Sequence, residues 1–443
     1  MDIAVIGSGI SGLGAAWALS RTHRVTLFES APTAGGHANT VDLPANSWGC
    51  AVDTGFIVHN THTYPNLTAL FAALGVQTEP SEMSFAVSLD AGRREYASRA
   101  GGLFAQPRNL ARPGHWRMLA DIVRFYRDAR GLLAEPDGDG ESLGRYLLRN
   151  RYSRAFVEDH LLPMAAAIWS APTQTVRAFP ATSFVRFLAN HGLLQFRDRP
   201  QWRTVTGGSR TYVQRILDQL GERVRLETPV HAVRRTPAGA WVDSAAAQAE
   251  RFDQIVLATH ADQALAVLGA DAEPAERELL GAVRYSRNTA VLHADARLMP
   301  ARRRVWSSWN YMTGGHQGGE RPVSVTYWMN RLQNLPGPDV FVSLNPLREP
   351  DPDLVHARFA YDHPVLDGAA FAAQQGLPDI QGRNRTWLCG AHWGYGFHED
   401  GLASGLAVAA ALGSPAPWHH HVTQVSPAAA NAMPAHSEAR EAA

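Results

Sequence analysis

The sequence predicts an α/β protein: a nucleotide-binding domain with a parallel sheet and helices on its faces, interleaved with an α+β second domain. Three observations carry this. A β-branched strand at the start of the chain runs directly into a glycine-rich turn and a helix. Apolar strand-like segments return near 224–258 and again near 387–389. Between them lie two long aromatic stretches, one with helical spacing and one rich in strands.

The opening stretch reads MDIAVIGSGISGLGAAWALSRTHRVTLFES. Ile3, Val5 and Ile6 suit a buried parallel strand. Gly7, Gly9 and Gly12 then form GxGxxG: the first for a tight turn, the second for close approach of a pyrophosphate, the third for packing helix on strand. After Ile10 the helix runs from Ser11 to Ser20 and aims its N-terminal N–H groups at the phosphates. Arg24 to Phe28 is a second strand. Glu29 closes it, 29 − 7 = 22 positions after the first glycine, with Ser30 beside it. An acid there accepts hydrogen bonds from a ribose hydroxyl pair. Strand, turn, helix and acid come in the order a Rossmann-like unit requires.

At 443 residues the chain has room for a large core and two or three domains. Charge balances at 41 basic against 41 acidic residues, which argues against a nucleic-acid binder. All the counted basic residues are arginine; lysine is absent. Cys50 and Cys389 are the only thiols, so a disulfide framework is excluded and a cytoplasmic, reducing compartment is expected. No run approaches the roughly 18 apolar residues of a membrane span, and the apolar N-terminus reads as strand–turn–helix rather than a leader.

Further along, Leu67, Leu70, Phe71 and Leu74 share a helical face that Gly75 ends. His59 and His62 fall in the preceding loop, where histidines are commonly solvated. Strands follow around Phe85–Val87 and Tyr96. His115 to Ala134 is helical, with Trp116, Leu119, Ile122, Val123, Tyr126 and Leu133 on the apolar side and Arg117, Arg124, Arg127 and Arg130 on the other. That basic face is either an ordinary solvated one or a peripheral contact with anionic lipid at the inner membrane face. Glu135 to Gly140 is a loop, and helices follow at Leu143–Asn150, Arg154–Ala167 and around Phe184–Asn190. Trp202–Thr206, Val224–Leu226, Val230–Val233, Ala240–Val242 and Phe252–Ala258 read as strands, with a helix over Tyr212–Leu220. Trp306, Trp309, Tyr311, Tyr327 and Trp328 mark the aromatic sheet; most such rings are core. Trp387–Cys389 is a strand, Gly390 a turn, and Gly401–Leu412 a helix with Glu399 and Asp400 just before it. The resulting division assigns 1–63, 201–265 and 376–413 to the nucleotide domain. Residues 64–200 and 266–375 form the substrate domain, and 414–443 a disordered Ala/Pro/Ser-rich tail. His419–His421 lack a second ligand cluster, so no catalytic metal is expected.

Gly35-Gly36 after the acid, and Asp53-Thr54-Gly55 later, give the chain its resemblance to the flavin superfamily of amine oxidases, phytoene desaturases and protoporphyrinogen oxidases. The resemblance implies FAD. It implies that the glycine pair continues the FAD site, that Asp53, Thr54 and Gly55 lie near the flavin, and that Val230 contacts the adenine. It also implies that the strand–loop–helix carrying Gly390, Glu399, Asp400, Gly401 and Leu402 faces the pyrophosphate and the flavin ring. Relatives commonly place Arg after the glycine pair; here His37 stands there, which implies a weaker or pH-dependent counter-charge. The strings AAAIWS, FLANHGLLQF, VTGGSRTYV, YWMNRLQNL, FVSLNP, FAYDHPV and GYGFHEDGL resemble, more closely, a bacterial family of FAD-binding amine-oxidase-like proteins. Genes of that family often accompany cyclopropane-fatty-acid-synthase-like lipid methyltransferases.

That resemblance implies hydride transfer at a carbon–carbon bond of a long apolar substrate, the acyl chain of a membrane lipid or modified fatty acid, by desaturation or reduction. A lipid methyltransferase is the partner it implies. His191, Tyr311, Tyr327, His398 and Glu399 are the acid/base candidates, and His191 and Trp309 the expected lining residues. A flavin amine oxidase is the alternative, although the superfamily's lysine-assisted arrangement is impossible without lysine. A third reading is a non-catalytic flavoprotein partner of a lipid-modifying enzyme. No second GxGxxG occurs, so no separate nicotinamide domain is expected.

Overall fold

Five strands, β1 (Asp2–Ile6), β2 (Arg24–Phe28), β3 (Val224–Arg225), β4 (Gln254–Leu257) and β5 (Thr386–Leu388), form one parallel sheet in the order 3-2-1-4-5. This is the strand order of a dinucleotide-binding fold, with the reversal beside β1 where the glycine-rich turn emerges. The computed structural model describes residues 1–44, 48–99, 101–134, 140–169, 173–195, 199–314 and 322–418. The β-branched residues of β1 and β4 account for their place at the centre: Ile3, Val5, Ile255 and Val256 are fully buried.

Helix α1 (Ile10–Leu19) is buried along its whole length, between the sheet and the last helix, α7 (His398–Ala411). Glycines make this approach possible. A Cβ on Gly405 would lie 2.1 Å from the Ser11 carbonyl oxygen, and one on Gly14 would lie 2.4 Å from Leu402 Cδ1. The remaining labelled helices are α2 (Pro65–Leu74), α3 (Pro113–Asp128), α4 (Leu162–Trp169), α5 (Ala181–Asn190) and α6 (Arg210–Leu220).

The second domain is built on a seven-stranded sheet, in the order Val355–Val365, Arg284–His293, Phe341–Leu344, Val323–Trp328, Trp309–Thr313, Phe85–Leu89 and Arg94–Ala97. Only the pairing of Trp309–Thr313 with Phe85–Leu89 is parallel. The helical block packs on this sheet through Phe125, Phe156, Phe184, Phe187, Tyr311 and Val342, all buried. Each such side chain contributes roughly 1.5–3 kcal/mol, so the sheet and block hold each other in place.

Several expectations need correction. His59 lies in a buried strand (Val58–Asn60) paired with Trp202–Val205, since its neighbours Val58 and Asn60 are buried too. Arg154–Ala167 is not one α-helix: a π-helical turn, Val157–Leu161, interrupts it before α4. Glu399 and Asp400 sit inside the first turn of α7, which begins at His398, rather than before it. Helix α3 buries His115, Met118, Ile122, Phe125 and Tyr126, while Trp116 and Val123 are 50% and 59% exposed. Being seven residues apart, those two share one face, and His115, packed on Tyr96 and Phe104, takes the inward place. Residues 414–418 are not tail. The Ser414 hydroxyl donates to Ala18 O at 2.6 Å, and Trp418 stacks on Trp17 with centroids 5.4 Å apart. The loop expected at 135–140 lies almost wholly, and His419–His421 wholly, outside the described residues.

Candidate functional site

A cavity of about 1140 Å³ runs from the glycine-rich turn to the second sheet. Single small-molecule sites span roughly 300–1000 Å³, so this one has room for a cofactor and a substrate together.

At the nucleotide end, Gly7 has φ 102°, and a Cβ there would meet Ala258 O at 2.8 Å. On Gly12 it would meet Gly7 O at 1.9 Å, whereas on Gly9 it would meet nothing within 4 Å. Gly12 therefore closes the turn against the helix, and Gly9 opens it to the cavity. Gly7, Gly9, Ile10, Ser11, Glu29, Ser30, Gly36, His37 and Val230 all line this end. Glu29 accepts from Ser8 N at 3.0 Å, Ser8 Oγ at 2.5 Å and Ala31 N at 2.8 Å. The Ser30 hydroxyl donates as well, at 3.2 Å, so the roughly four acceptor sites are all engaged, and a ribose hydroxyl would take the place of that longest contact. Gly35 stands behind the loop, where its N–H donates to Ser8 O at 3.1 Å.

In the middle of the cavity Thr54, Gly55, Phe56, Gly390, His392 and His398 form the wall. The rings of Phe56 and His398 are parallel with centroids 3.8 Å apart, and His398 Nε2 is hydrogen-bonded to the Tyr212 hydroxyl at 2.7 Å. Burial drives His398 well below the ordinary imidazole value.

Asp53, Glu399, Asp400, Gly401, Leu402 and Tyr311 lie outside the cavity lining and hold its walls. Asp53 is fully buried; it accepts from Thr40 Oγ1 (2.6 Å), Ser209 N (2.9 Å) and Gln333 Nε2 (2.8 Å), tying three segments together. Burial pushes it up to about 6. Glu399 caps α2, accepting from Asn66 N at 2.8 Å and Leu67 N at 3.0 Å. Asp400 caps its own helix through Phe397 N at 2.8 Å. Burial raises both to about 7. Gly401 and Leu402 pack on α1. These acids are consumed by local backbone donors, which removes Glu399 from the acid/base candidates. Tyr311 is removed as well. It shares the face of Trp309 but lies two residues farther along the strand, in the core under the helical block.

His37 fits the weaker counter-charge expected of it. Burial, with His363 and His260 nearby, pushes it down to about 3, so its ring is neutral. It stacks on Tyr361, centroids 4.8 Å apart.

The far arm of the cavity is lined by Met83, Phe85, Tyr126, His160, Met164, Ile168, Phe187, His191, Leu193, Trp309, Tyr327 and Leu344. His191 and Tyr327 are thus brought to the arm. Burial raises the Tyr327 phenol and lowers His191 to about 4. His160 was not singled out in the sequence, where it is one polar residue in an apolar helical run. The π-helical turn carries it, a geometry common at functional sites. Its Nδ1 is 3.2 Å from the Tyr96 hydroxyl, which itself donates to Asp159 O at 2.5 Å. The Tyr96 proton being committed, Nδ1–H donates and Nε2 bears the lone pair.

Four residues lining the cavity carry a buried polar atom without a partner among the described residues: His37 Nε2 at the nucleotide end, His392 Nε2 in the middle, and His160 Nε2 and Trp309 Nε1 in the far arm. Each costs about 1–3 kcal/mol if left so, which marks where bound molecules supply partners. With the open Gly9, Glu29 and the flat Phe56–His398 wall, the residues fit FAD.

Comparison with known proteins agrees. The family described as flavin containing amine oxidoreductase matches residues 10–295, more than half of the chain. AofH of Mycobacterium tuberculosis, described as a flavin-containing monoamine oxidase, is 30% identical over 271 residues. That match covers 56% of this chain, and the chain spans about half (55%) of AofH. Among solved structures, the cyclohexylamine oxidase of Brevibacterium oxydans superposes with a TM-score of 0.65 at 17% identity, covering 93% of this chain and 98% of that one. A CLA-producing fatty acid isomerase of P. acnes does so with a TM-score of 0.65 at 14% identity, covering 91% and 96%. At those identities the likeness shows the shared fold. With its cofactor FAD, the chain belongs to the flavin containing amine oxidoreductase family.

Proposed function

We propose that the protein is an FAD-dependent oxidoreductase acting by hydride transfer at a carbon–carbon bond of a long apolar substrate, an acyl chain of a membrane lipid or modified fatty acid. The observation that carries this reading is the far arm. His160 in the π-helical turn and Met164 and Ile168 in α4 line it one after another, the last two about 6 Å apart at 1.5 Å per residue. Apolar side chains dominate its walls, and its acid, Glu82, is held by Arg331 through a contact of 2.5 Å. Of the cavity's other carboxylates, Glu29 stands at the nucleotide end and Asp362 stands beside His363, which packs on His37, and the chain has no lysine to assist amine oxidation.

FAD supplies the hydride-transfer chemistry when bound. The chain's own part is to hold apolar substrate by area, at roughly 25 cal/mol per Å², to exclude water, and to take or give the neighbouring proton at His191 Nε2. A lipid methyltransferase acting on the same acyl chains is the partner we propose. The fatty acid isomerase of P. acnes, which shares the fold, supports the substrate class by analogy.

An amine substrate is the second reading. It is favoured by the aromatic residues that line the cavity, Phe187, Phe397, Trp309 and Tyr327, a ring type that attracts cations. The AofH match fits it equally well. Anaerobic mixing of the FAD-loaded protein with phospholipid or fatty acid, and separately with mono- and diamines, separates the two. Bleaching of the oxidised flavin by the lipid supports the acyl-chain reading. Bleaching by amines alone overturns it, and bleaching by neither leaves the non-catalytic partner.

A further inference from the structure

Eight large apolar residues are exposed among the described residues, and four of them, Leu110, Trp116, Val123 and Leu148, belong to the helical block. Trp116 is half exposed yet held in place: its indole N–H donates to Leu110 O at 2.9 Å, and its ring lies against Phe104 with centroids 5.2 Å apart. A shallow groove beside it is lined by Leu110, Ala111, Pro113, Trp116, Arg117 and Ala120. Val123 lies two turns along the same face of α3. The next residue, Arg124, donates to Arg151 O at 3.2 Å, and Arg151 N donates to Leu148 O at 3.0 Å, so the four residues belong to one connected region.

The charge of this region is one-sided. Between Pro107 and Arg130 the chain carries six arginines and two aspartates. Asp121 and Asp128 pair with Arg124 and Arg127. Among the described residues no carboxylate pairs with Arg108, Arg112, Arg117 or Arg130. Arg112 is lowered by burial and then by the nearby guanidinium groups of Arg94, Arg108, Arg93 and Arg302, a measure of how closely the cations gather. An exposed Trp, Leu and Val set among unpaired arginines matches the boundary of an anionic bilayer, with apolar side chains in the acyl boundary and guanidinium groups at the phosphates. The region also adjoins the cavity. Tyr126 of α3 lines the far arm, and Arg130 donates to Leu194 O at 3.3 Å, beside the cavity-lining Leu193.

We infer that the face formed by Leu110, Trp116 and Val123 with Arg108, Arg112 and Arg117 is a peripheral docking surface for an anionic lipid bilayer. No helix among the described residues is long and apolar enough to cross a membrane, so the contact is interfacial. The inference does not depend on the acyl-chain reading, because docking is read without turnover.

The test is sedimentation of the full-length, FAD-loaded protein with vesicles of phosphatidylcholine alone or of phosphatidylcholine mixed equally with phosphatidylglycerol. The protein is expected to sediment with the anionic vesicles and to be released by salt. Trp116→Ala together with Val123→Ala should weaken this at least about tenfold, and Arg108→Gln with Arg117→Gln comparably. Unchanged flavin absorbance and melting temperature would establish that both variants are folded. Failure of the native protein to bind anionic vesicles overturns the inference, as does undiminished binding by both folded variants. A dimer of the native protein that Trp116→Glu dissolves, without vesicle binding, would assign the face to a second copy and overturn it equally.

Discussion

His191 Nδ1 lies 3.0 Å from the carbonyl oxygen of Phe187, one turn earlier at the end of α5. A carbonyl only accepts, so Nδ1 carries the proton and Nε2 the lone pair. Burial keeps the ring neutral, at about 4, and the ring stacks on Phe187 with centroids 4.0 Å apart. His191→Gln keeps a polar side chain but loses the base. Flavin reduction by the true substrate should slow about 10²-fold, the lower range for a general base, with FAD still bound. Anaerobic stopped-flow absorbance measures this; an unchanged rate would remove His191 from proton transfer.

Glu29→Ala should weaken FAD binding at least roughly tenfold without unfolding the protein. The change removes a charge-assisted acceptor for a ribose, worth roughly 1.5–3 kcal/mol per bond, and leaves Ser8 N–H without its partner. Titration of the FAD-free variant checks it. An affinity equal to that of the native protein in a folded variant would place the ribose elsewhere.

FAD should be held non-covalently. Burial pushes the Cys389 thiol up to about 12, and neither Cys389 nor Cys50 lines the cavity. No thiolate is therefore poised to attack the ring. Heat or acid should release FAD of intact mass; flavin that remains with the denatured chain would refute this.

The FAD-free protein should lose stability steeply as pH falls below about 6.5. His37 and His392 are held to about 3, and His59, His160, His191, His293 and His363 to about 4, in each case by burial first. Their folded values are depressed, so the stability they contribute is complete above about 6.5 and is lost as pH falls toward 4. Each can remove up to about 1.4 kcal/mol per pH unit. Asp53, Glu399 and Asp400 act oppositely. Raised to about 6, 7 and 7, they favour the folded state as pH falls through those values. Seven groups against three leave a net loss. Melting temperatures at pH 6.5 and 4.5 decide it; equal or higher stability at 4.5 would show that these rings are not buried neutral.

Local rules were enough for the nucleotide end. The β-branched strand, the three glycines and Glu29 lie within the first 29 residues, and each acts on backbone geometry or neighbours close in sequence. Their place at the mouth of the parallel sheet followed from spacing alone. The resemblance put Asp53 near the flavin, and the structure has it behind the cavity-lining Thr54; Glu399 and Tyr311, offered as acid/base candidates, lie outside the lining. A carboxylate near a flavin and one that caps a helix more than 300 residues away, as Glu399 does for α2, look alike in a sequence.

What the sequence determined by itself was the α/β class, the dinucleotide-binding unit, its ribose acid and the two aromatic stretches that leave it. The tertiary structure alone decided which of those aromatic and titratable groups meet. His160 reaches the cavity because a π-helical turn carries it there, and Trp116 faces solvent because His115 takes the inward place on α3. In both cases packing over long separations outweighs local periodicity, since a rotation of one residue on a helix turns a side chain by about 100°.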